Sequence, residues 1–506
     1  MKSYDLITPE GTRDLLFDEC VARKEAEDKL RAVFTAHGYS EVITPALEFY
    51  DVFNNKTRSF RQEDMYKLTD GKGRLMVMRP DSTMPIARIV ATRLRDGVFP
   101  LKLFCSQNIY RCNPKMAGRD DEFMQSGVEI IGGDEKRSDL EALSLAAQVL
   151  NSCSSDDVRL EIGDNTFYKL LLEKLDIDDE ETVRSLIESK NTPDLTQFIK
   201  ENVDSDPEKR RYSEILLQLP DLFGGAEVFD KAEKLFAGTA LSDRLTELKE
   251  TFDALRKLEA EDKITVDLGL VNKAEYYTGI VFRGYIEEYG QAVLSGGRYD
   301  TLIGSFGADD MPAVGFAVNV NAIAAANLRS NRSTKARHAE VLVFAADEDL
   351  IDGISHCTKL ISKGISAEFS TCPTLDAAME YAKANTFSIM PDATTLEGYD
   401  AYVNISLINV KIDDALKVSD FKYSLVCIDG NNSQSNLGSG DGTSITTGTN
   451  ISIGDMSTTN NTFNINTNYQ CYFRVWIANK ADTSQNELMD KKFSALLKVN
   501  TIMRKQ

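Results

Sequence analysis

The chain is poor in histidine, with three residues in 506 and none beside a plausible triad partner, so imidazole-based catalysis has little to work with. His37, in AHGY, reads as a helix end. The eight cysteines include no Cys-x-x-Cys pair and no nearby histidine to complete a zinc site. Reduced, buried thiols are expected at Cys20, Cys105, Cys153, Cys357 and Cys372. Cations are scarce relative to acids: 58 Lys and Arg face 79 Asp and Glu, a formal net charge of −21. That balance repels phosphate backbones, which makes tRNA or any other nucleic acid a poor partner. No apolar run approaches the length that spans a bilayer, and MKSYDLITPEGTRDLL has no apolar core with basic flanks. A cytoplasmic protein with neither membrane association nor an export signal is therefore expected.

What is present is ordinary for a globular protein, at 42% hydrophobic and 27% charged residues. A length of 506 exceeds what one core organises, so several domains are expected. Residues 18–37 carry apolar positions at helical spacing and stop at Gly38. From there to about 326, strand-like runs (RLMVMRP, LKLFCSQNIYR, GVEIIG, VRLEIG, IVFRGYI, QAVLSGG, AVGFAV) mix with amphipathic helices. This predicts an α+β fold, an antiparallel sheet flanked by helices. Residues 165–262 carry almost continuous helix signal and read as a helical insertion. NLRSNRSTKAR, at 327–337, reads as a linker, and residues 338–390 as a small α/β domain. From 391 to 506 the composition turns to Ser, Thr, Asn and Gly between alternating strands such as AYVNISLINVKI, YSLVCI, FNIN and CYFRVWIA. That pattern predicts a β-sandwich or barrel of unassigned role, with Cys427 and Cys471 as candidates for pairing.

Three segments carry polar chemistry. MRPDST, at 78–83, offers the Asp81 carboxylate and the Thr83 hydroxyl to an ammonium group, although alone it reads first as a capped helix start. In IYRCNPKMAGRDDEFMQSGVEIIGG, at 109–133, Arg111 ends one strand and a second begins near Glu122. Gln125, Gly127 and Glu129 then share one face of that strand. A buried face with Gln and Glu is costly unless it meets polar partners, so ligand binding and an internal network are both open. EYYTGIVFRGY and LSGGRYDTLIGSFG, at 275–285 and 294–307, read as a narrow pocket wall of Tyr276, Tyr277 and a Gly-Gly-Arg strand. Tyrosines packed in a core are the plain alternative.

Together these segments resemble the histidyl-tRNA synthetase family, of class II catalytic fold, over roughly residues 5–325. PEGTRDLL is similar to the family's opening segment. GYSEVITPALEF is similar to its first class II motif, with Pro45 at the dimer interface, and IYR and AVGFAVNVNAI are similar to its second and third motifs. EYYTGIVF and GGRYD resemble the histidyl branch in particular. By this resemblance Asp81 and Thr83 meet the α-amino group of histidine, Arg111 and Gln125 lie near its carboxylate, and Glu129, Tyr276 and Tyr277 hold its imidazole.

The same resemblance implies losses. An acidic residue that positions ATP is replaced by Asn113, and the arginine that ends the third motif is replaced by Ala322. The histidyl-specific Arg-Gly-Leu-Asp-Tyr-Tyr pattern reads Asn272, Lys273, Ala274, Glu275, Tyr276, Tyr277. A lysine displaced by one position does not reproduce a planar, bidentate fork. RPDST followed by PIAR is more similar to the regulatory-subunit branch of the family. That branch implies a non-catalytic, cofactor-free dimer that binds histidine as allosteric ligand. It assembles with short-form ATP phosphoribosyltransferase into a hetero-octamer, activates the first step of histidine biosynthesis and passes on feedback inhibition. An active histidyl-tRNA synthetase and a scaffold that no longer binds histidine are the alternatives.

Overall fold

The structure is a computed structural model. It describes residues 4–385 apart from the short segments 55–59, 114–119, 154–157, 204–205, 259–262, 272–275, 288 and 337–338. Six strands between 399 and 505 are described by their backbone. The chain divides into two compact units, Met1–Ala336 and Arg337–Gln506.

In the first unit, α1 (Asp18–Ala36) buries Ala22, Ala26, Leu30 and Phe34, a stripe at four-residue spacing. It ends at His37 and at Gly38, whose φ of +81° suits a residue without a Cβ. His37 itself pairs with Gln148. Then come β1 (Ser40–Glu41), β2 (Leu47–Phe49), β3 (Lys67–Thr69) and β4 (Leu75–Met78), the last three forming a small antiparallel sheet. Next are α2 (Thr83–Thr92), the long pair β5 (Leu101–Tyr110) and β6 (Glu122–Ile131), α3 (Glu135–Cys153) and β7 (Val158–Asp164).

A run of helices follows: α4 (Asn165–Leu175), α5 (Glu180–Glu188), α6 (Thr192–Asn202), α7 (Pro207–Gln218), the two-residue β8 (Phe223–Gly224), α8 (Glu227–Phe236) and α9 (Leu241–Leu258). Asp164, Asp179, Asn191 and Asp206 each accept a backbone N–H at the start of a helix, which explains the crisp succession of short helices here. The unit closes with β9 (Ile264–Asp267), β10 (Ile280–Ile286), β11 (Tyr289–Arg298), β12 (Ala313–Asn319) and α10 (Val320–Arg329).

The main sheet has nine strands in the order β1-β5-β6-β12-β11-β10-β7-β9-β8. It is mixed rather than purely antiparallel. Its centre is antiparallel as expected, but β1 joins β5 and β9 joins β7 in parallel, because long connections return the chain in the same direction, through the small sheet and α2 in one case and through α4 to α9 in the other. One large apolar core gathers sheet residues such as Phe104, Val128 and Phe316 with α1, α3 and the helices of 165–258. A second core joins α2 to Leu103, Cys105, Tyr277, Tyr299 and Ile303. The polar groups described below lie in and beside this second core. The segment read as a linker is tied down, since Thr334 N–H bonds to Glu25 and Ala336 N–H to Asp18, both on α1.

In the second unit, β13 (Val341–Val343) and β14 (Ala367–Phe369) pair in parallel beside α11 (Leu350–Ser362) and α12 (Leu375–Asn385). The strands β15 (Tyr399–Ile412), β16 (Phe421–Ile428), β17 (Gln434–Asp441), β18 (Ile451–Ser457), β19 (Gln470–Ile477) and β20 (Phe493–Lys505) form two antiparallel three-stranded sheets, β18-β15-β20 and β17-β16-β19. The run FNIN lies outside the described residues.

Two expectations about cysteine change. Cys105, Cys153 and Cys357 are buried, but Cys20 is exposed and Cys372 half-buried. Cys20 sits in the first turn of α1, clear of the stripe that packs on the sheet, and its thiol reaches the Leu15 carbonyl. Among the described residues no helix is long and apolar enough to cross a membrane, and no cluster suits a metal ion.

Candidate functional site

Glu129 sits near the C-terminal end of β6, 5% exposed. Its carboxylate accepts a hydrogen bond from Thr83 Oγ1 at 2.8 Å and another from the Tyr299 hydroxyl. The register places Gly315 of β12 opposite it, and a Cβ there would stand 1.8 Å from Glu129 Oε2. The glycine makes room for the acid.

Asp81 does two things at once. Its Oδ1 accepts the backbone N–H groups of Thr83 and Met84 at 2.7 and 3.1 Å, so it caps α2 as its sequence context suggests. Its Oδ2 faces the site, accepting the Tyr276 hydroxyl at 3.3 Å with an Arg111 nitrogen 3.8 Å away. The ring of Tyr276 lies 4.9 Å from that of Tyr277 and meets Tyr299 edge-on at 5.9 Å. Tyr277 is buried, its ring against Gly297, where a Cβ would come within 2.7 Å.

Five of the seven residues expected at the site therefore converge: Asp81, Thr83, Glu129, Tyr276 and Tyr277. Arg111 links this cluster to a neighbouring cavity of about 770 Å³, which Gln125 also lines. Asn113 and Ala322 line the same cavity. The Asn113 amide is spent on its own loop, donating to Asp120 O at 2.9 Å and Asp121 Oδ1 at 3.1 Å. Ala322 is buried in the first turn of α10, where its N–H is capped by Asn319. Asn272, Lys273, Ala274 and Glu275 lie outside the described residues.

Burial dominates the electrostatics. It pushes the Glu129 carboxyl up to about 8; Asp81 adds to the rise, while the donors Tyr299 and Thr83 oppose it. Burial also raises the Tyr276 and Tyr299 phenols well above their usual range, with Asp81 and Glu129 respectively adding to the effect. Two acids and three phenols enclosed in this way favour a ligand that brings positive charge and N–H donors.

Tyr299 was not singled out in the sequence, although it lies within GGRYD. The two glycines mark the arginine beside it instead, and strand alternation sends the arginine and the tyrosine to opposite sides. Arg298 is not a pocket residue. It is 2% exposed, forms a 2.7 Å ion pair with each of Asp139 and Asp300, and bonds the Glu135 carbonyl. The adjoining glycines serve packing, since a Cβ at Gly296 would collide with Gly315 O and Phe316. Three further arginines, Arg13, Arg283 and Arg329, line the cavity from separate parts of the chain. Each already has partners within the protein, Arg13 with Asp120 at 3.6 Å and Arg283 with the Val271 carbonyl at 2.6 Å.

An antiparallel-centred sheet carrying a tyrosine-lined acidic site defines a histidyl-tRNA-synthetase-like protein, and the histidyl-tRNA synthetase family model matches residues 11–323. More particularly, the chain belongs to the family of ATP phosphoribosyltransferase regulatory subunits. It is 39% identical over 396 residues to the one from Bacillus cereus, covering 78% of this chain and 93% of that protein. It is 38% identical over 392 residues to the one from Clostridium acetobutylicum, covering 76% and 95%. Among solved structures, an ATP phosphoribosyltransferase regulatory subunit/histidyl-tRNA synthetase from Bacillus halodurans superimposes with a TM-score of 0.65. It is 26% identical and covers 76% of this chain and 97% of that one.

Proposed function

We propose that this chain is a non-catalytic regulatory subunit that binds a short-form ATP phosphoribosyltransferase, activates the first step of histidine biosynthesis and transmits feedback inhibition by histidine. The observation that carries the reading is the likeness to regulatory subunits across 93% of a relative's length, joined to a buried acidic cluster suited to an ammonium and an imidazole. Histidine shifts the assembly only if it binds the inhibited state more tightly than the active one.

The reading assigns each residue a role. Asp81 Oδ2 and the Tyr276 hydroxyl receive the α-ammonium, and Thr83 acts mainly through Glu129, which receives the imidazole. Tyr277 closes the wall behind Tyr276. Arg111 and Gln125, on the cavity side, receive the carboxylate. Synthetase chemistry is disfavoured because Asn113 is engaged in its own loop and Ala322 offers no cation where negative charge would develop on ATP. Self-association as a dimer through the segment around Pro45 is supported by Ile43, Leu47 and Phe49, three exposed apolar side chains within seven residues of sequence, the last two on one face of β2. A cytoplasmic setting and a hetero-octameric assembly belong to the same reading. So does a division into a histidine-binding domain of 1–326, a small α/β domain of 338–390 and a tail of 391–506.

Co-purification with a short catalytic subunit, followed by calorimetric titration of the complex with histidine, tests the reading. Complex formation and saturable histidine binding are expected. Failure to form the complex contradicts the regulatory role. A complex that takes up no histidine favours a scaffold, and histidine-dependent exchange of pyrophosphate into ATP by this chain alone favours an active synthetase.

A further inference from the structure

Of the eight cysteines, two lie in the tail, Cys427 and Cys471. The strands that hold them, β16 and β19, pair antiparallel with no shift of register, and Cys427 stands directly opposite Cys471. The other opposed pairs on that face are Phe421/Ile477, Tyr423/Val475 and Leu425/Phe473, an apolar row that the cysteines complete. The alternate face pairs Lys422 with Trp476 and Ser424 with Arg474. Directly opposed residues of an antiparallel pair have Cα atoms roughly 4.5 or 5.5 Å apart, depending on whether they exchange hydrogen bonds. A disulfide accommodates Cα separations of about 4.4–6.8 Å, so either kind of pair fits.

We propose that Cys427 and Cys471 form a cross-strand disulfide that clasps β16 to β19 and encloses β17 and β18 in the resulting loop. Such a clasp has a structural purpose here. β17, QSNLGSGD, is an edge strand short of apolar residues and carries two glycines, so its own pattern specifies register weakly, whereas a covalent link between β16 and β19 fixes the one strand it pairs with.

The oxidant is a small-molecule disulfide of the glutathione type. One cysteine loses its proton, and its thiolate attacks a sulfur of the oxidant, forming a mixed disulfide and expelling one small thiolate. The second cysteine, deprotonated in turn, attacks the protein sulfur of that mixed disulfide and expels the other. Two protein thiols are oxidised, one small disulfide is reduced to two thiols, and the two protons end on those thiols.

The test uses the full chain, incubated folded with oxidised glutathione, alkylated in denaturant without reductant and digested for mass spectrometry. The expected result is a linked peptide containing Cys427 and Cys471, two hydrogens lighter than the sum of its parts and absent after reduction. Wild-type protein should then melt at a higher temperature oxidised than reduced, while the C427S/C471S variant should show no such difference. Recovery of both cysteines alkylated overturns the proposal. So does arrest at glutathione adducts on either residue, or linkage of either to a third cysteine.

Discussion

At the scale of single residues, the account rests on a carboxylate held without a cation. Glu129 titrates near 8 when folded against 4.5 as its ordinary value. Between those limits the folded chain holds a proton that the unfolded chain has released, so the free energy of unfolding falls as pH rises across the window and levels off above it. The effect is on the order of a few kcal/mol. Glu129→Gln should remove that slope, which denaturant melts of both proteins from pH 4.5 to 8.5 will reveal; parallel curves would contradict the assignment. Tyr299→Phe deletes one of two donors to the same carboxyl, a loss worth up to roughly 10-fold in affinity for a group that is mostly protonated at neutral pH. Weaker histidine binding with unchanged partner binding is the expected calorimetric result. Asp81, Glu129 and the paired tyrosines were legible through the resemblance their motifs carry, since spacing alone also fits a helix cap, an internal polar network and tyrosines packed in a core. Tyr299 was not, because its role depends on Glu129, 170 positions away.

At the scale of elements, strand register is what assembles the site. Gly315 faces Glu129 across β6 and β12, and a methyl there has no space without moving the acid or the Val128 carbonyl. Gly315→Ala should cost about 1–3 kcal/mol in a denaturant melt and weaken histidine binding along with stability. Arg298 makes the opposite case. Breaking its buried pair with Asp139 through Arg298→Met should cost roughly 3–5 kcal/mol while leaving the affinity per folded molecule near wild type, because its guanidinium faces α3. Helices and strands of the first 330 residues were legible from periodicity and caps. The parallel additions at the edges of the main sheet were not, since edge pairing is decided by where long connections return the chain, not by local pattern.

At the scale of the whole molecule, an acidic chain with an exposed apolar strand face is expected to be an assembling protein. Ile43 is 76% exposed, four residues before the exposed Leu47 of β2. Ile43→Glu should shift sedimentation from dimer to monomer while the melting of each protomer changes little. The tail differs in composition from everything before it, and removal of residues 391–506 is expected to leave activation of the partner intact. The central claim is regulation, and a rate measures it most directly. Condensation of ATP with phosphoribosyl pyrophosphate by a short catalytic subunit should accelerate on addition of this chain, and histidine should then suppress the accelerated rate, far less so with Glu129→Ala. A rate indifferent to the chain, or a chain that activates histidine with ATP by itself, would contradict the account.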